Sequence, residues 1–151
     1  MKDQYSIKPL TSDDANLIKE LFADVFTNEP WNDDWSDEDQ LRKYLADIIG
    51  NPNSLSLGLF DNDELYGIAL GSVMHWYTGT EYYIREFCIR RTAQHQGLGS
   101  LFLSKAEDYL RQINIYSIIL TTEADTPAHD FYAKNDFEEL TESRFFQKKL
   151  R

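Results

Sequence analysis

The chain has 151 residues, 42% of them hydrophobic, which suits a single domain over residues 1–151 with a buried core. Its formal charge of −11, from 15 Lys and Arg against 26 Asp and Glu, excludes a nucleic-acid surface built on clustered cations and favours small cationic partners. With Cys88 as the only cysteine, no disulfide framework or thiolate zinc cluster can form, and no stretch approaches the ~20 apolar residues of a membrane span, so a soluble, cytoplasmic protein is expected.

In chain order, Ser6 to Leu10 reads as a short first strand ending near Pro9. Thr11-Ser12-Asp13-Asp14 supplies a cap, and Leu17, Ile18, Leu21, Phe22, Val25 and Phe26 recur at helical spacing, predicting a helix over 13–26. Ser36 followed by Asp39 opens a second helix, with Leu41, Tyr44, Leu45, Ile48 and Ile49 on one face and Gly50 as its stop. Between the helices lies a crowd of acids and aromatics: Glu29, Trp31, Asp33, Asp34, Trp35, Asp37, Glu38 and Asp39. It reads either as a solvated loop and helix start or as the rim of a site for an ammonium-bearing ligand, to which His75, Trp76 and Tyr77 would add.

Residues 55–60, 65–76 and 81–90 read as strands, the last with Ile84, Phe87, Cys88 and Ile89 as an apolar run facing both ways; Asp61-Asn62-Asp63-Glu64 and Tyr77-Thr78-Gly79-Thr80 separate them, so three successive antiparallel strands are expected. The turn Gln94-His95-Gln96-Gly97-Leu98-Gly99 follows, and Leu98, Leu101, Phe102, Ala106, Tyr109, Leu110 and Ile113 mark a helix after it. A strand over 115–122 should return parallel to 81–90 through a right-handed crossover. Thr126-Pro127 caps and opens a last helix, and 137–140 and 144–149 read as closing strands.

The glycine turn is the chemically informative stretch. Two glycines clear side chains from a loop that leads into a helix N-terminus, whose free N–H groups and partial positive charge suit a pyrophosphate. A Walker loop is excluded because Ser100 and Leu101 follow Gly99, leaving no lysine, and a dinucleotide fingerprint lacks its third glycine. His75, His95 and His129 have no metal-ligand spacing, so no metal is expected.

Gln94-x-x-Gly97-x-Gly99 resembles the coenzyme A pyrophosphate loop of the GNAT superfamily of N-acetyltransferases. The segment from Ala128 to Phe137 is similar to that family's Ala-x-x-Phe-Tyr-x-Lys-x-Gly-Phe pattern, with Asp136 where glycine is usual. The likeness is strongest over 65–140. It implies an α/β (α+β) fold: a mixed, mostly antiparallel central sheet with helices on both faces and a parallel strand pair splayed at the cofactor site. It also implies acetyl-coenzyme A as acyl donor, held by the backbone of Phe87, Cys88 and Ile89 and by Gln94, His95, Gln96, Gly97, Leu98, Gly99 and Ser100.

Acetylation of an amine needs a base, because a protonated nitrogen has no lone pair. Glu86, on an apolar strand, is the candidate, against the plainer reading of a strand glutamate paired with His75 or Arg85. Tyr132 stands where the resemblance implies a tyrosine that protonates the departing thiolate, against a plain packing role beside Phe131. Cys88 as an acetyl-carrying nucleophile is disfavoured, since no histidine and acid pair with it. The expected acceptor is a small cationic amine (polyamine, aminoglycoside-like amino sugar, or peptide amine), with Glu29, Trp31, Asp33, His75, Trp76 and Tyr77 as candidate contacts and direct attack in a ternary complex as the mechanism. A non-catalytic acyl-coenzyme A-binding sensor or interaction module is the alternative. Pairing or exchange of the closing strands between two copies would give a homodimer.

Overall fold

The computed structural model describes residues 2–151. The chain divides into two compact units, one ending at Thr121 and the other running from Thr122 to Arg151. In the first unit, strands β1 (Tyr5–Leu10), β2 (Ser54–Asp61), β3 (Glu64–Trp76), β4 (Gly79–Ile89) and β5 (Ser117–Leu120) form one sheet in sequence order. Neighbours are antiparallel except β4 and β5, which are parallel, as a crossover through α3 (Leu98–Gln112) requires. Pro9 lies within β1 rather than ending it, which is tolerated because β1 is an edge strand.

Helices α1 (Ala15–Phe26) and α2 (Glu38–Ile49) cover one face of the sheet. Thr11 caps a short 3-10 turn over Ser12–Asp14, so α1 starts two residues later than its periodicity suggests. α2 is capped by Asp37, whose side chain accepts from the Gln40 N–H at 3.1 Å, in place of Ser36. Phe22 and Phe26 of α1 and Leu41 and Leu45 of α2 meet Ile68, Leu70 and Cys88 of the sheet, while Ala69 and Ile89 on the opposite face pack with Phe102 of α3.

A bulge in β4 decides what faces what. Leu70 opposes Glu86 and Gly71 opposes Ile84, so Arg85 is an extra residue on β4. Tyr82 and Ile84 before it face α3, and so do Phe87 and Ile89 after it, which turns Glu86 and Cys88 towards α1 and α2. Gly71 permits this close approach, since a Cβ there would fall 2.2 Å from the Tyr83 carbonyl oxygen. Pairing of β5 with β4 stops at Leu120 opposite Ile84, whereas β4 runs on to Ile89, so the parallel pair parts where the coenzyme was expected to lie.

In the second unit α4 (Pro127–Lys134) begins as expected, with the Thr126 side chain accepting from His129 N–H at 3.2 Å and Pro127 in the first turn. Its end is a left-handed stop. Asp136 has φ 69°, Phe137 N–H bonds the Tyr132 carbonyl at 3.0 Å and Asp136 N–H the Ala133 carbonyl at 3.3 Å, so aspartate serves where glycine is usual. The expected closing strands do not form. Residues 137–140 and 144–149 form no strand and pair with none among the described residues, and Phe145, Phe146 and Leu150 are 93%, 89% and 89% exposed. Local sequence can mark a segment able to pair, but a strand exists only where a ladder partner does.

Candidate active site

The turn before α3 is held at both ends by core residues. Ala93 and Leu98 are buried, whereas His95, Gln96 and Gly97 between them are exposed. The Gln94 side-chain amide donates to the Ile89 carbonyl at 2.9 Å, tying the turn to the end of β4. Gly97, at φ 79°, is the N-cap of α3 and offers no side chain to its amides. The opening helical bond runs from Leu101 N–H to the Gly97 carbonyl at 3.1 Å, so the N–H groups of Leu98, Gly99 and Ser100 precede the helix's own bonding and remain for a ligand.

The stretch 94–100 carries no Lys or Arg, so an anion there would be gripped by amides and the helix dipole. The nearby cations are already engaged. Arg90 Nη1 donates to both Glu20 oxygens at 3.0 Å, and Arg91 meets Asp24 at 3.4 Å. The structure thus brings Gln94 to Ser100 together in one exposed turn, but Leu98 contributes only its backbone there, because its side chain is in the core. The same holds beside it on β4. The Phe87 ring stacks on Phe102 at 5.1 Å, and Cys88 and Ile89 are buried, which leaves main chain as their means of holding a ligand. Burial, with Glu86 and Asp24 nearby, pushes the Cys88 thiol well above its ordinary range, so it is unsuited to act as a nucleophile.

Glu86 is half-buried between β4 and α2. Its partner is neither His75 nor Arg85 but Tyr44 of α2, whose hydroxyl donates to Glu86 Oε2. Burial raises the Glu86 pKa above the ordinary glutamate range; the Tyr44 bond and the Arg85 charge oppose that shift, and Asp33 adds to it. Burial and the same bond to Glu86 push the Tyr44 phenol strongly upward, so Tyr44 stays protonated as a donor. The sequence hid Tyr44 inside an apolar helical stripe. The available signal was its hydroxyl, which needs a partner when buried.

The candidate acceptor residues fall into two groups. Trp31 packs on Phe26 at 5.7 Å and the Asp33 N–H bonds the Phe26 carbonyl at 2.8 Å, fixing this loop to the end of α1, while Asp33 is close enough to act on Glu86. Glu29 is exposed in the same loop. His75, Trp76 and Tyr77 are exposed at the far end of the β3–β4 hairpin. With Leu70 opposite Glu86, His75 lies five residues further along β3, about 17 Å at ~3.4 Å per residue. Tyr132, in the second unit, makes edge contacts with Phe131 and Phe137, each at 5.3 Å. Among the described residues no group of three or more His, Cys, Asp or Glu is arranged to hold a metal, and no helix is long and apolar enough to cross a membrane.

No match was found among curated protein sequences. Solved structures do match in fold. A possible acetyltransferase from Clostridium difficile 630 aligns with TM-score 0.81 at 13% identity, covering 97% of this chain and 99% of its own. An aminoglycoside acetyltransferase from an uncultured soil metagenomic sample, in complex with sisomicin, aligns with TM-score 0.73 at 19% identity over 99% and 98%. AAC(6')-Iy, in complex with a bisubstrate analog of coenzyme A and acetylneamine, aligns with TM-score 0.71 at 12% identity over 96% and 98%. At these identities the likeness establishes the fold. The model of the acetyltransferase (GNAT) family matches residues 15–137, most of the sheet, both covering helices and the glycine turn. The chain therefore belongs to the GNAT acetyltransferase family and is an N-acetyltransferase.

Proposed function

We propose that the protein transfers acetyl from acetyl-coenzyme A to a primary amine of a small cationic acceptor, by direct attack in a ternary complex. The observation that carries this reading is the exposed, cation-free glycine turn at the start of α3, next to the end of a strand that bears a carboxylate of raised pKa. The amides of Leu98, Gly99 and Ser100 would hold the coenzyme's diphosphate, and the backbone of Phe87 to Ile89 its pantetheine arm. The amine then attacks the thioester carbonyl and gives its proton to Glu86, directly or through a water. Collapse of the tetrahedral intermediate breaks the C–S bond, and Tyr132 supplies the proton to the departing thiolate.

Aminoglycosides, polyamines and peptide amines all fit the acidic, aromatic loop of Glu29, Trp31 and Asp33; the sisomicin and acetylneamine analog bound by the two aminoglycoside-class neighbours support the amino-sugar option. A thiol-release assay over these three classes tests the function. Acceptor-dependent release of coenzyme A is expected, and binding of acetyl-coenzyme A with no release under any amine would overturn it. For Tyr132→Phe, kcat should fall about tenfold or more while the KM for acetyl-coenzyme A holds; equal loss of both would mark a packing residue.

The homodimer belongs to the same reading. Residues 143–151 hold Arg144, Lys148, Lys149 and Arg151 and no acid, so the rest of the chain keeps all 26 acids against 11 Lys and Arg. A cationic, apolar tail on an acidic chain suits a second copy as its partner. Sedimentation velocity should give a dimer for the full chain and a monomer for one ending at Glu142.

A further inference from the structure

Tyr44 lies on the inward stripe of α2 with Leu41, Leu45 and Ile48, and its hydroxyl interrupts an otherwise apolar interface. The sheet surface it meets is apolar too, with Ile68, Leu70 and Cys88, except at Glu86. Two polar groups in such an interface are a cost to folding unless each satisfies the other, and here the Tyr44 hydroxyl donates to Glu86 Oε2. The ring has little freedom. Trp35 stacks on it with centroids 5.3 Å apart and planes at 23°, and Phe22 packs at 6.0 Å. Trp35 is itself fixed edge-on to Phe22 at 5.6 Å. The hydroxyl is therefore aimed by aromatic packing from α1 and from the loop between α1 and α2.

We infer that Tyr44 is a positioning residue for acetyl transfer: by holding Oε2 of Glu86 it locks the carboxylate rotamer and presents Oε1 to the proton of the attacking amine. The bulge at Arg85 turns the carboxylate towards α2, and Tyr44 fixes it there. The inference rests on Glu86 acting as the base. The groups acting on Glu86 from the elements around it are Tyr44 from α2, Arg85 and Cys88 from β4, and Asp33 from the loop after α1. Of these, Tyr44 and Arg85 favour the charged carboxylate and Asp33 disfavours it. Cys88 remains a neutral thiol.

The signs give a test. Losing the hydroxyl removes a bond made to the charged form, so the Glu86 pKa rises further, and the acid limb of kcat/KM must move to higher pH. Tyr44→Phe keeps the ring and its stacking while deleting only the donor. In the full chain, Tyr44→Phe should shift the acid limb upward by about one pH unit and lower kcat about tenfold, with the KM for acetyl-coenzyme A unchanged. Adding Tyr44→Phe to Glu86→Gln should cost nothing further, because the hydroxyl acts through that carboxylate. If Glu86→Gln disables the enzyme while Tyr44→Phe leaves both limb and kcat in place, Tyr44 is structural and this inference falls alone. If Glu86→Gln itself turns over at the wild-type rate, the base assignment fails first and the inference with it. Thermal melting of Tyr44→Phe accompanies both, and a fall in kcat that the remaining folded fraction fully accounts for would also overturn the positioning role.

Discussion

Glu86→Gln is expected to lower kcat/KM roughly 10²–10⁴-fold, the range of a lost general base, with acetyl-coenzyme A affinity retained. The isosteric amide still accepts from Tyr44 but cannot take a proton. Residual activity should lose the acid limb of its pH profile. The stability of the same variant gives an independent check. Because burial raises the folded pKa above the ordinary value near 4.5, the folded chain binds more protons than the unfolded one between those two values. Stability from this group is therefore present below the unfolded pKa and is lost as pH rises through the folded pKa. Above its folded pKa the wild type carries a desolvated charge that Glu86→Gln lacks, so there the variant should melt at or above the wild-type temperature, and the gap should close in acid. A variant both slow and less stable at neutral pH would show that Glu86 holds the structure together rather than acting as a base.

Gly97→Val should weaken acetyl-coenzyme A binding about 10- to 100-fold. At φ 79° a β-branched residue is strained by roughly 1–3 kcal/mol, and the loop relieves this by leaving the geometry that turns the Leu98, Gly99 and Ser100 amides outward. Gly97→Ala should fall between valine and wild type. Calorimetric titration measures the constants directly, and wild-type affinity in the valine variant would mean that the diphosphate is held elsewhere. The helix should survive, since its anchors Leu98 and Phe102 are buried and unaffected. His95, two residues earlier, adopts φ 63° without being glycine, so the turn tolerates one unusual residue at an exposed position. Gly97 differs in being the N-cap itself.

Much of the architecture was legible in the residues. Thr126-Pro127, Gly50 and the 94–99 turn are local signals whose physics lies within about four residues, and each stands where the sequence placed it. Alternation over 55–60 and 65–76 gave the hairpin, and the handedness of crossovers gave the parallel β4–β5 pair. The reading of 137–140 and 144–149 as closing strands failed, because local sequence reports at most a capacity to pair and says nothing of a partner.

The composition of the turn, the presence of Glu86 on β4 and the excess of acid were set by the sequence itself, because backbone conformation near glycine and the charge of a side chain do not wait for distant contacts. Tertiary structure alone decided which way Glu86 faces and what it touches. An extra residue at Arg85 reverses the pleat, and the Tyr44 hydroxyl arrives from a helix 42 positions earlier in the chain. Register and cross-element hydrogen bonds arise only once the strands are laid side by side, and a single inserted residue in one of them exchanges the faces of every side chain beyond it.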